Sequence, residues 1–140
     1  MRVTTEAERA EAYRIRKTVF VDEQHVPIEE EIDEYEKEAI HFICYENEKV
    51  VAASRLRFID HYGKLERICV LKDYRGKQYG KKLIEQMEKT IKNEGYQKAL
   101  LHAQTYAKEF YEKLGYQVTS EEFMDAGIPH VAMSKKLRKE

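Results

Sequence analysis

The sequence predicts a fold of the α/β class, an α+β arrangement in which one mixed β-sheet is flanked by helices. Three observations support it. Residues 41–70 alternate between apolar runs and short polar turns, which is typical of antiparallel strands. Two amphipathic helical patterns follow, each ending at a glycine, and a strand-like run separates them. An alternating segment comes last, and the predicted order αβββαβαββ is not that of a regular doubly wound sheet.

The first predicted helix begins at Thr5–Glu8, which has the spacing of a capping box. Apolar residues then recur at helical spacing, so we expect this helix to extend to about residue 20. Residues 21–40 contain Pro27 and the acidic run 29–38, and they predict a loop with room for a short helix. A solvated acidic face is the default interpretation of such a run, although it could also attract a cationic amine.

The remaining elements follow from periodicity. Residues 41–45, 50–58 and 65–70 predict three strands, and a helix then starts near Tyr79 and ends at Gly95. The mostly apolar run 99–103 indicates a central strand covered on both faces. Further elements are predicted as a helix over residues 107–114 and strands over 116–118 and 131–137.

Composition limits the possible partners. The 140 residues have the size of one ordinary domain, so we expect residues 1–140 to form a single domain. Charged residues make up 36% of the chain but sum to −1, which gives no reason to expect nucleic acid or a membrane as partner. The sequence shows no signal peptide and no apolar span, which predicts a cytoplasmic protein. Cys44 and Cys69 lie in apolar runs and are predicted to be buried and reduced, and no metal site is expected.

The turn Arg75–Lys82 carries four basic residues, two glycines and no acid, between a predicted strand and a predicted helix. A glycine-containing turn before a helix presents free backbone N–H groups to an anion, and the helix dipole adds a favourable partial charge. The turn therefore predicts a phosphate or pyrophosphate site. It is not a Walker A loop, because Lys82 stands where that motif has Ser or Thr. A helix start that is simply solvated is the alternative.

Two segments resemble motifs of one enzyme family, in the family's order and spacing. The segment "ERICVLKDYRGKQYGKKLIEQMEK" resembles the acyl-CoA motif of the GNAT superfamily of N-acetyltransferases, and "AKEFYEKLGY" resembles its second motif. The resemblance covers roughly residues 40–118. The segments "RKTVFVDEQ" and "AGIPHVAM" are similar to a YjcF-like bacterial branch of that family.

The resemblance implies the GNAT acyl-CoA N-acyltransferase fold, with a splayed central sheet, and acetyl-CoA as the acyl donor. It also implies a set of cofactor-binding residues. Backbone groups of the strand would hold the pantetheine arm, the turn would hold the pyrophosphate, and two further side chains would lie beside the cofactor. These residues are Ile68, Cys69 and Val70 on the strand; Arg75, Gly76, Lys77, Gln78, Tyr79, Gly80 and Lys81 on the turn; and Gln104 and Phe110 beyond it.

Gln78 departs from the family pattern Arg/Gln-x-x-Gly-x-Gly/Ala, which has glycine at that position. Glycine permits a positive φ and a close approach of the backbone to a ligand. Gln78 can still offer its N–H group to phosphate if its φ stays negative, and its side-chain amide adds a donor.

Tyr111 stands where the resemblance implies a general acid that protonates the leaving thiolate. The alternative is a tyrosine that only packs on the apolar face of its helix. Glu66 is the candidate general base, and strand alternation places it on the face of Ile68 and Val70, opposite Cys69.

The base remains open on the sequence alone. A surface carboxylate paired with Arg57 or Arg67 is the alternative interpretation of Glu66. Three histidines, His41, His102 and His130, are expected to be packed or rim residues. Glu23 and His25 are weaker base candidates, and a water relay without a dedicated base is also open.

These expectations combine into an N-acetyltransferase that moves an acetyl group from acetyl-CoA to a primary amine of an acceptor. A non-catalytic acyl-CoA sensor on the same fold and an enzyme similar to acyl-homoserine-lactone synthases are the alternatives. Neither the acceptor nor the oligomeric state is indicated by the sequence.

Overall fold

The structure is a computed structural model that describes residues 1–137. Within those residues, seven strands form one mixed sheet in the spatial order β1-β2-β3-β4-β7-β5, and β6 pairs with the outer part of β7. The strands are β1 Ile40–Glu46, β2 Lys49–Ile59, β3 Tyr62–Val70, β4 Lys98–Gln104, β5 Gln117–Val118, β6 Phe123–Asp125 and β7 Ile128–Lys136. The α-helices are α1 Glu6–Arg16, α2 Ile28–Glu31, α3 Tyr79–Asn93 and α4 Lys108–Lys113.

The helices cover the two faces of the sheet. The larger apolar core joins the sheet to α3, whose Leu83, Ile84, Met87 and Ile91 are all buried. A second core joins the opposite face to α1 through residues such as Ile15, Ile43 and Cys69. The sequence prediction of a mixed sheet flanked by helices is confirmed.

The first helix starts as predicted and ends differently. The Thr5 side chain accepts a hydrogen bond from the Glu8 N–H group at 3.1 Å, and the Glu8 carboxylate accepts one from Thr5 N–H, so the capping box is formed. The α-helical pattern stops at Arg16 and continues as a π-helix over Lys17–Glu23. The expected end at about residue 20 lies within that π-helix, whose wider turns could not be distinguished from α-helix by apolar spacing.

The acidic run is not simply a solvated face, as its default interpretation held. Glu31 and Glu36 are buried, and both form ion pairs with the fully buried Arg16. The one-turn helix α2 and the turns after it bring these carboxylates to the Arg16 guanidinium at the end of α1. The exposed members of the run include Glu29 and Glu30.

The two central strands, β3 and β4, pair over only part of their length. The parallel pairing of β3 with β4 joins only Gly63–Leu65 to Ala99–Leu101. Beyond Leu65 and Leu101 the register ends, although both strands continue for several residues. The sheet is therefore splayed into a V-shaped gap between residues 66–70 and 102–104.

A β-bulge in β3 lies at the start of this gap. Ala53 pairs with Cys69 and Arg55 pairs with Glu66, so Ser54 lies opposite two residues of β3, Arg67 and Ile68. Arg67 has φ 57°. The extra residue reverses the alternation, because directly paired residues share a face. Glu66 thus lies on the same face as Cys69, and the expectation from simple alternation that it would lie opposite is wrong.

Two other strand predictions need correction. β4 is central, as expected, but one of its faces is open at His102, which is exposed because a cavity lies over it. The strand β6 was not predicted, because its three residues are too short to show a period.

No helix within residues 1–137 is long and apolar enough to cross a membrane.

Candidate active site

A cavity of about 770 Å³ fills the gap between β3 and β4 and opens on both faces of the sheet. One half of it adjoins the start of α3 and the helix α4. The other half adjoins the π-helix, α2 and the ends of β4, β6 and β7. A long ligand placed in the gap would therefore touch different groups at each face, which is the arrangement needed when two reactants meet inside a sheet.

The backbone of the turn at the mouth of the gap has two residues in the left-handed region, Gly76 with φ 82° and Gln78 with φ 69°. The negative φ under which Gln78 was expected to offer its N–H group is therefore not adopted. The turn makes the bend that glycine normally makes, and Gln78 adopts it at a conformational cost. Gln78 is the N-cap of α3, and its carbonyl accepts a hydrogen bond from Lys82 N–H at 3.1 Å.

The first N–H groups of α3 point out of the helix start, because residues in a first turn have no intrahelical acceptor. They belong to residues 79–81, which line the cavity together with Gly76 and Gln78. Gly80 faces α4, and a Cβ atom built on it would lie 3.6 Å from the Phe110 ring, an ordinary contact. Alanine would fit there, while a branched side chain would press on Phe110.

The basic side chains of the turn have acidic partners from distant parts of the chain. Arg75 forms a bidentate ion pair with Glu23 on the π-helix, both contacts being 2.8 Å, and its Nε donates to the Val70 carbonyl at 2.9 Å. Lys77 contacts Glu46 at 3.2 Å, and the Tyr79 hydroxyl donates to Glu46 at 2.7 Å. The turn carries no acid in its own sequence, but the fold brings two to it.

The side chains of the strand beside the gap, β3, pack into different cores on its two faces. The side chains of Ile68 and Val70 pack at the edge of the α3 core, and Cys69 is buried on the α1 face. The Cys69 thiol lies 3.6 Å from the Ala53 carbonyl, and burial raises its pKa to about 12. A thiol of that pKa is protonated at neutral pH and is inert as a nucleophile.

Tyr111 lies on α4 and lines the half of the cavity next to α3. Its ring is held edge-on between Phe110, at 5.1 Å between centroids, and Tyr116, at 6.2 Å. Within residues 1–137, no protein group forms a hydrogen bond with its hydroxyl. Burial raises the pKa of Tyr111 above that of a free phenol, so the hydroxyl keeps its proton and can act as a donor.

A second contact crosses the cavity from the π-helix side. The Gln104 amide donates a hydrogen bond to the Gln24 side-chain oxygen at 2.9 Å, joining the end of β4 to residues that follow the π-helix. Phe110 is exposed and also borders the cavity. Gln104 and Phe110, the two cofactor residues predicted beyond the turn, therefore both lie at the gap.

Glu66 does border the cavity, but three cations hold its carboxylate. Arg55, Arg57 and Lys64 contact it at 2.7, 2.7 and 3.1 Å. Burial alone would raise the pKa of Glu66, but the Arg57 hydrogen bonds and the charges of Arg55 and Lys64 outweigh burial and lower the pKa to about 2. A carboxylate so stabilised is a weak proton acceptor. Arg67 pairs instead with Glu31 and Asp33.

The histidines differ sharply in their surroundings. His41 is buried, and its Nε2 lies 2.9 Å from the Glu36 carbonyl. His102 and His130 line the cavity, and both pack against the Phe123 ring, His102 edge-on at 5.0 Å and His130 stacked at 6.0 Å between centroids. No periodicity in the sequence indicates that His102 faces an open space; only the loss of pairing between β3 and β4 exposes it.

The comparisons with known proteins agree with this geometry. The family model described as an acetyltransferase (GNAT) domain matches residues 4–137. The uncharacterized N-acetyltransferase YjcF of Bacillus subtilis is 52% identical over 126 residues, which cover 89% of this chain and 90% of YjcF.

Solved structures show the same fold. A candidate N-acetyltransferase from Lactobacillus plantarum superimposes with a TM-score of 0.92 at 30% identity, covering 99% of this chain and 97% of that one. A GNAT family acetyltransferase from Elizabethkingia anophelis, solved with acetyl-CoA bound, gives a TM-score of 0.69 at 16% identity, covering 89% and 90%. At that identity the likeness concerns the fold alone.

Proposed function

This chain belongs to the GNAT family of acetyltransferases, and from that premise we propose that it transfers an acetyl group from acetyl-CoA to a primary amine of an acceptor. The observation that carries the proposal is the cavity in the splayed sheet, with a basic, glycine-containing turn at its mouth. The acyl-CoA chemistry of the family needs such a passage, because the thioester must be reached by the amine from one side and by a proton donor from the other.

In this proposal the turn 75–80 and the start of α3 hold the pyrophosphate through backbone N–H groups and the helix dipole. The pantetheine arm lies along residues 68–70, in the place that β4 would fill if the two strands stayed paired. Gln104 and Phe110 border the arm from the far side of the gap. The thioester then lies near the bulge, between the two faces of the sheet.

Tyr111 is the proposed general acid. Its hydroxyl has a proton and, within residues 1–137, no protein acceptor, so it can donate to the thiolate as the C–S bond breaks. The packing of the ring between two aromatic residues fixes its direction. Because its pKa is raised, we expect the proton to move in the transition state rather than before it.

Binding is tested by thermal unfolding with CoA and with acetyl-CoA. A ligand at about 100 times its Kd adds about 2.7 kcal/mol of apparent stability, which raises Tm by several degrees in a domain of this size. Adenosine 3′,5′-bisphosphate is a matched control, because it lacks the pyrophosphate and pantetheine and should give a smaller shift. An unchanged Tm at millimolar CoA would exclude the cofactor assignment.

Catalysis is tested by thioester consumption with a panel of primary amines, comparing wild type with Tyr111→Phe. The variant keeps the ring and loses only the hydroxyl, so we expect the CoA-induced Tm shift to be retained. Removing a general acid lowers kcat by roughly 10²-fold or more, with kcat/KM falling in parallel. Equal turnover by the two proteins, with chemistry shown to be rate-limiting, would make Tyr111 a packing residue only.

A further inference from the structure

We propose that His102 is the general base, which takes a proton from the acceptor amine on the face of the sheet opposite Tyr111. The inference rests on the proposed function. It adds a general base, which is needed because Glu66, the base expected from the sequence, is a weak proton acceptor.

The position of His102 follows from strand register. Leu65 and Leu101 form the last pair between β3 and β4, so His102 is the first β4 residue beyond the apex of the gap. Alternation places it opposite Leu101 and Ala103, which are buried in the core beneath α3. Its ring therefore enters the cavity from the α1 face, while Tyr111 enters it from the α3 face. An amine arriving from one side and a thiolate leaving on the other require this separation.

Packing orients the His102 ring, and its two nitrogens have no hydrogen-bond partner within residues 1–137. It meets the Phe123 ring edge-on, at 5.0 Å between centroids and 78° between planes. The side chain is exposed, and within residues 1–137 no protein group hydrogen-bonds either of its nitrogens. His130, which also packs against Phe123, differs because its Nδ1 lies 2.7 Å from the Ile128 carbonyl. Of these two histidines, His102 has both nitrogens free for substrate or water.

The surroundings of His102 lower the pKa of its imidazole and so favour the neutral form. Partial desolvation by the walls of the cavity, and then the charge of Lys64, lowers the pKa of His102 below that of a free imidazole, while Asp125 and Glu66 oppose the shift. The titratable groups around it lie on three strands: Lys64 and Glu66 on β3, Asp125 on β6 and His130 on β7. Arg67 and Asp33, on the facing wall, pair with each other at 3.3 Å.

The proposed step balances in atoms and charge. An ammonium group of the acceptor gives one proton to the free imidazole of His102, directly or through one water. The neutral nitrogen then attacks the thioester carbon, forming the C–N bond and a tetrahedral oxyanion. The C–S bond breaks as Tyr111 donates its proton to sulfur, and the phenolate regains a proton from the attacking nitrogen through water. His102 releases its proton to solvent, so the products are amide, CoA thiol and one proton.

The direct test compares His102→Gln with wild type at several pH values. At pH 7 we expect kcat/KM to fall by roughly 10²-fold, the lower range for a lost general base. The deficit should shrink as pH approaches about 10, because a primary amine then arrives already deprotonated. His61→Gln, on the turn between β2 and β3, is the control and should retain wild-type rates. The CoA-induced Tm shift should survive in both variants.

A second test changes the charged neighbours of His102, which should shift its pKa in opposite directions. His102 must be neutral to accept a proton, so activity rises with pH through its pKa. Removing the cation in Lys64→Met should raise this pKa and move the acid limb of kcat/KM to higher pH; Asp125→Asn should move it to lower pH. NMR titration of the His102 imidazole should give matching shifts without any need for turnover.

Some outcomes would overturn the role of His102. One is wild-type kinetics in His102→Gln. Another is an acid limb of kcat/KM that stays at the same pH in both Lys64→Met and Asp125→Asn. A third is a 10²-fold loss of kcat/KM in His130→Gln but not in His102→Gln. Failure of the proposed function looks different. In that case wild type consumes no thioester with any amine, while the imidazole titration stays normal.

Discussion

The two walls of the cavity are built in opposite ways. The wall proposed to bind the cofactor, here called the cofactor wall, is one continuous stretch, residues 68–81, in which the exposed Arg75 and Lys77 each pair with one acid. The wall proposed to face the acceptor, here called the acceptor wall, includes Glu31, Asp33 and Glu66. These carboxylates pair with Arg16 and Arg55, both fully buried. Those ion pairs are Arg16 with Glu31 and Glu36, and Arg55 with Asp33, Glu36 and Glu66, all between 2.7 and 2.9 Å.

The difference separates binding from positioning. Exposed pairs on the cofactor wall can be exchanged for phosphate oxygens at little cost, because water already screens them. Buried pairs cannot be exchanged, since a charge without its partner in a dry interior costs several kcal/mol. We therefore expect the acceptor wall to stay fixed, while the charges of the cofactor wall can exchange their partners for those of a ligand.

The sharpest way to break this contrast is Arg55→Leu. Removing the cation leaves three carboxylates short of a partner, and we expect the free energy of unfolding to fall by about 3–5 kcal/mol. Arg14→Leu is the matched control, because Arg14 pairs with Glu11 on the exposed side of α1 at 2.7 Å. An exposed pair contributes only about 0–1 kcal/mol. Chemical denaturation at neutral pH measures both.

The pH dependence of the same experiment has a definite sign. The folded-state pKa of Glu66 is lowered to about 2 from an ordinary 4.5. Its contribution to stability is therefore present above pH 4.5 and is lost as pH falls toward 2. The gap between wild type and Arg55→Leu should narrow over that range. A loss no larger than that of Arg14→Leu would mean that the acceptor wall is not held by its ion pairs.

The same contrast explains what the sequence could predict. The basic turn, the helix after it and the second family motif are local patterns, and the fold class and the predicted cofactor strand followed from them. The bulge that moves Glu66 to the other face depends on pairing with β2, which alternation within one strand cannot reveal. The partners of Arg55 lie 11 to 22 residues away, and no spacing rule identifies them. The proposed role of His102 depends on where pairing between β3 and β4 stops, which is likewise a property of two strands.

A smaller effect sharpens the account of the cofactor wall at Gln78. Its φ of 69° costs a non-glycine residue about 1 kcal/mol or more, and glycine relieves that strain at the expense of a more flexible unfolded chain. We expect Gln78→Gly to raise the free energy of unfolding by up to about 1 kcal/mol and to retain CoA binding. Lys89→Gly, within α3, is the control and should lower stability by about 1 kcal/mol. Loss of CoA binding in Gln78→Gly would make the amide side chain a ligand.

The smallest predicted effect concerns the ion pair between Glu23 and Arg75. The carboxylate holds both terminal nitrogens of the guanidinium at 2.8 Å, in the place where the pyrophosphate is proposed to bind. CoA must then compete with Glu23, so Glu23→Gln should bind CoA more tightly, by about two- to five-fold, the scale of an exposed ion pair. Calorimetric titration at two salt concentrations measures this gain, and it should diminish at high salt because the competing pair is screened.

The control for Glu23 is Glu11→Gln, which removes the same charge from an exposed pair on α1, outside the cavity lining. It should leave the Kd of CoA unchanged, which separates local competition from a change in net charge. Weaker binding by Glu23→Gln would show that the carboxylate supports the guanidinium in its binding position. The cofactor wall would then resemble the acceptor wall, with charges fixed in advance by their partners, and the contrast between the two walls would not hold.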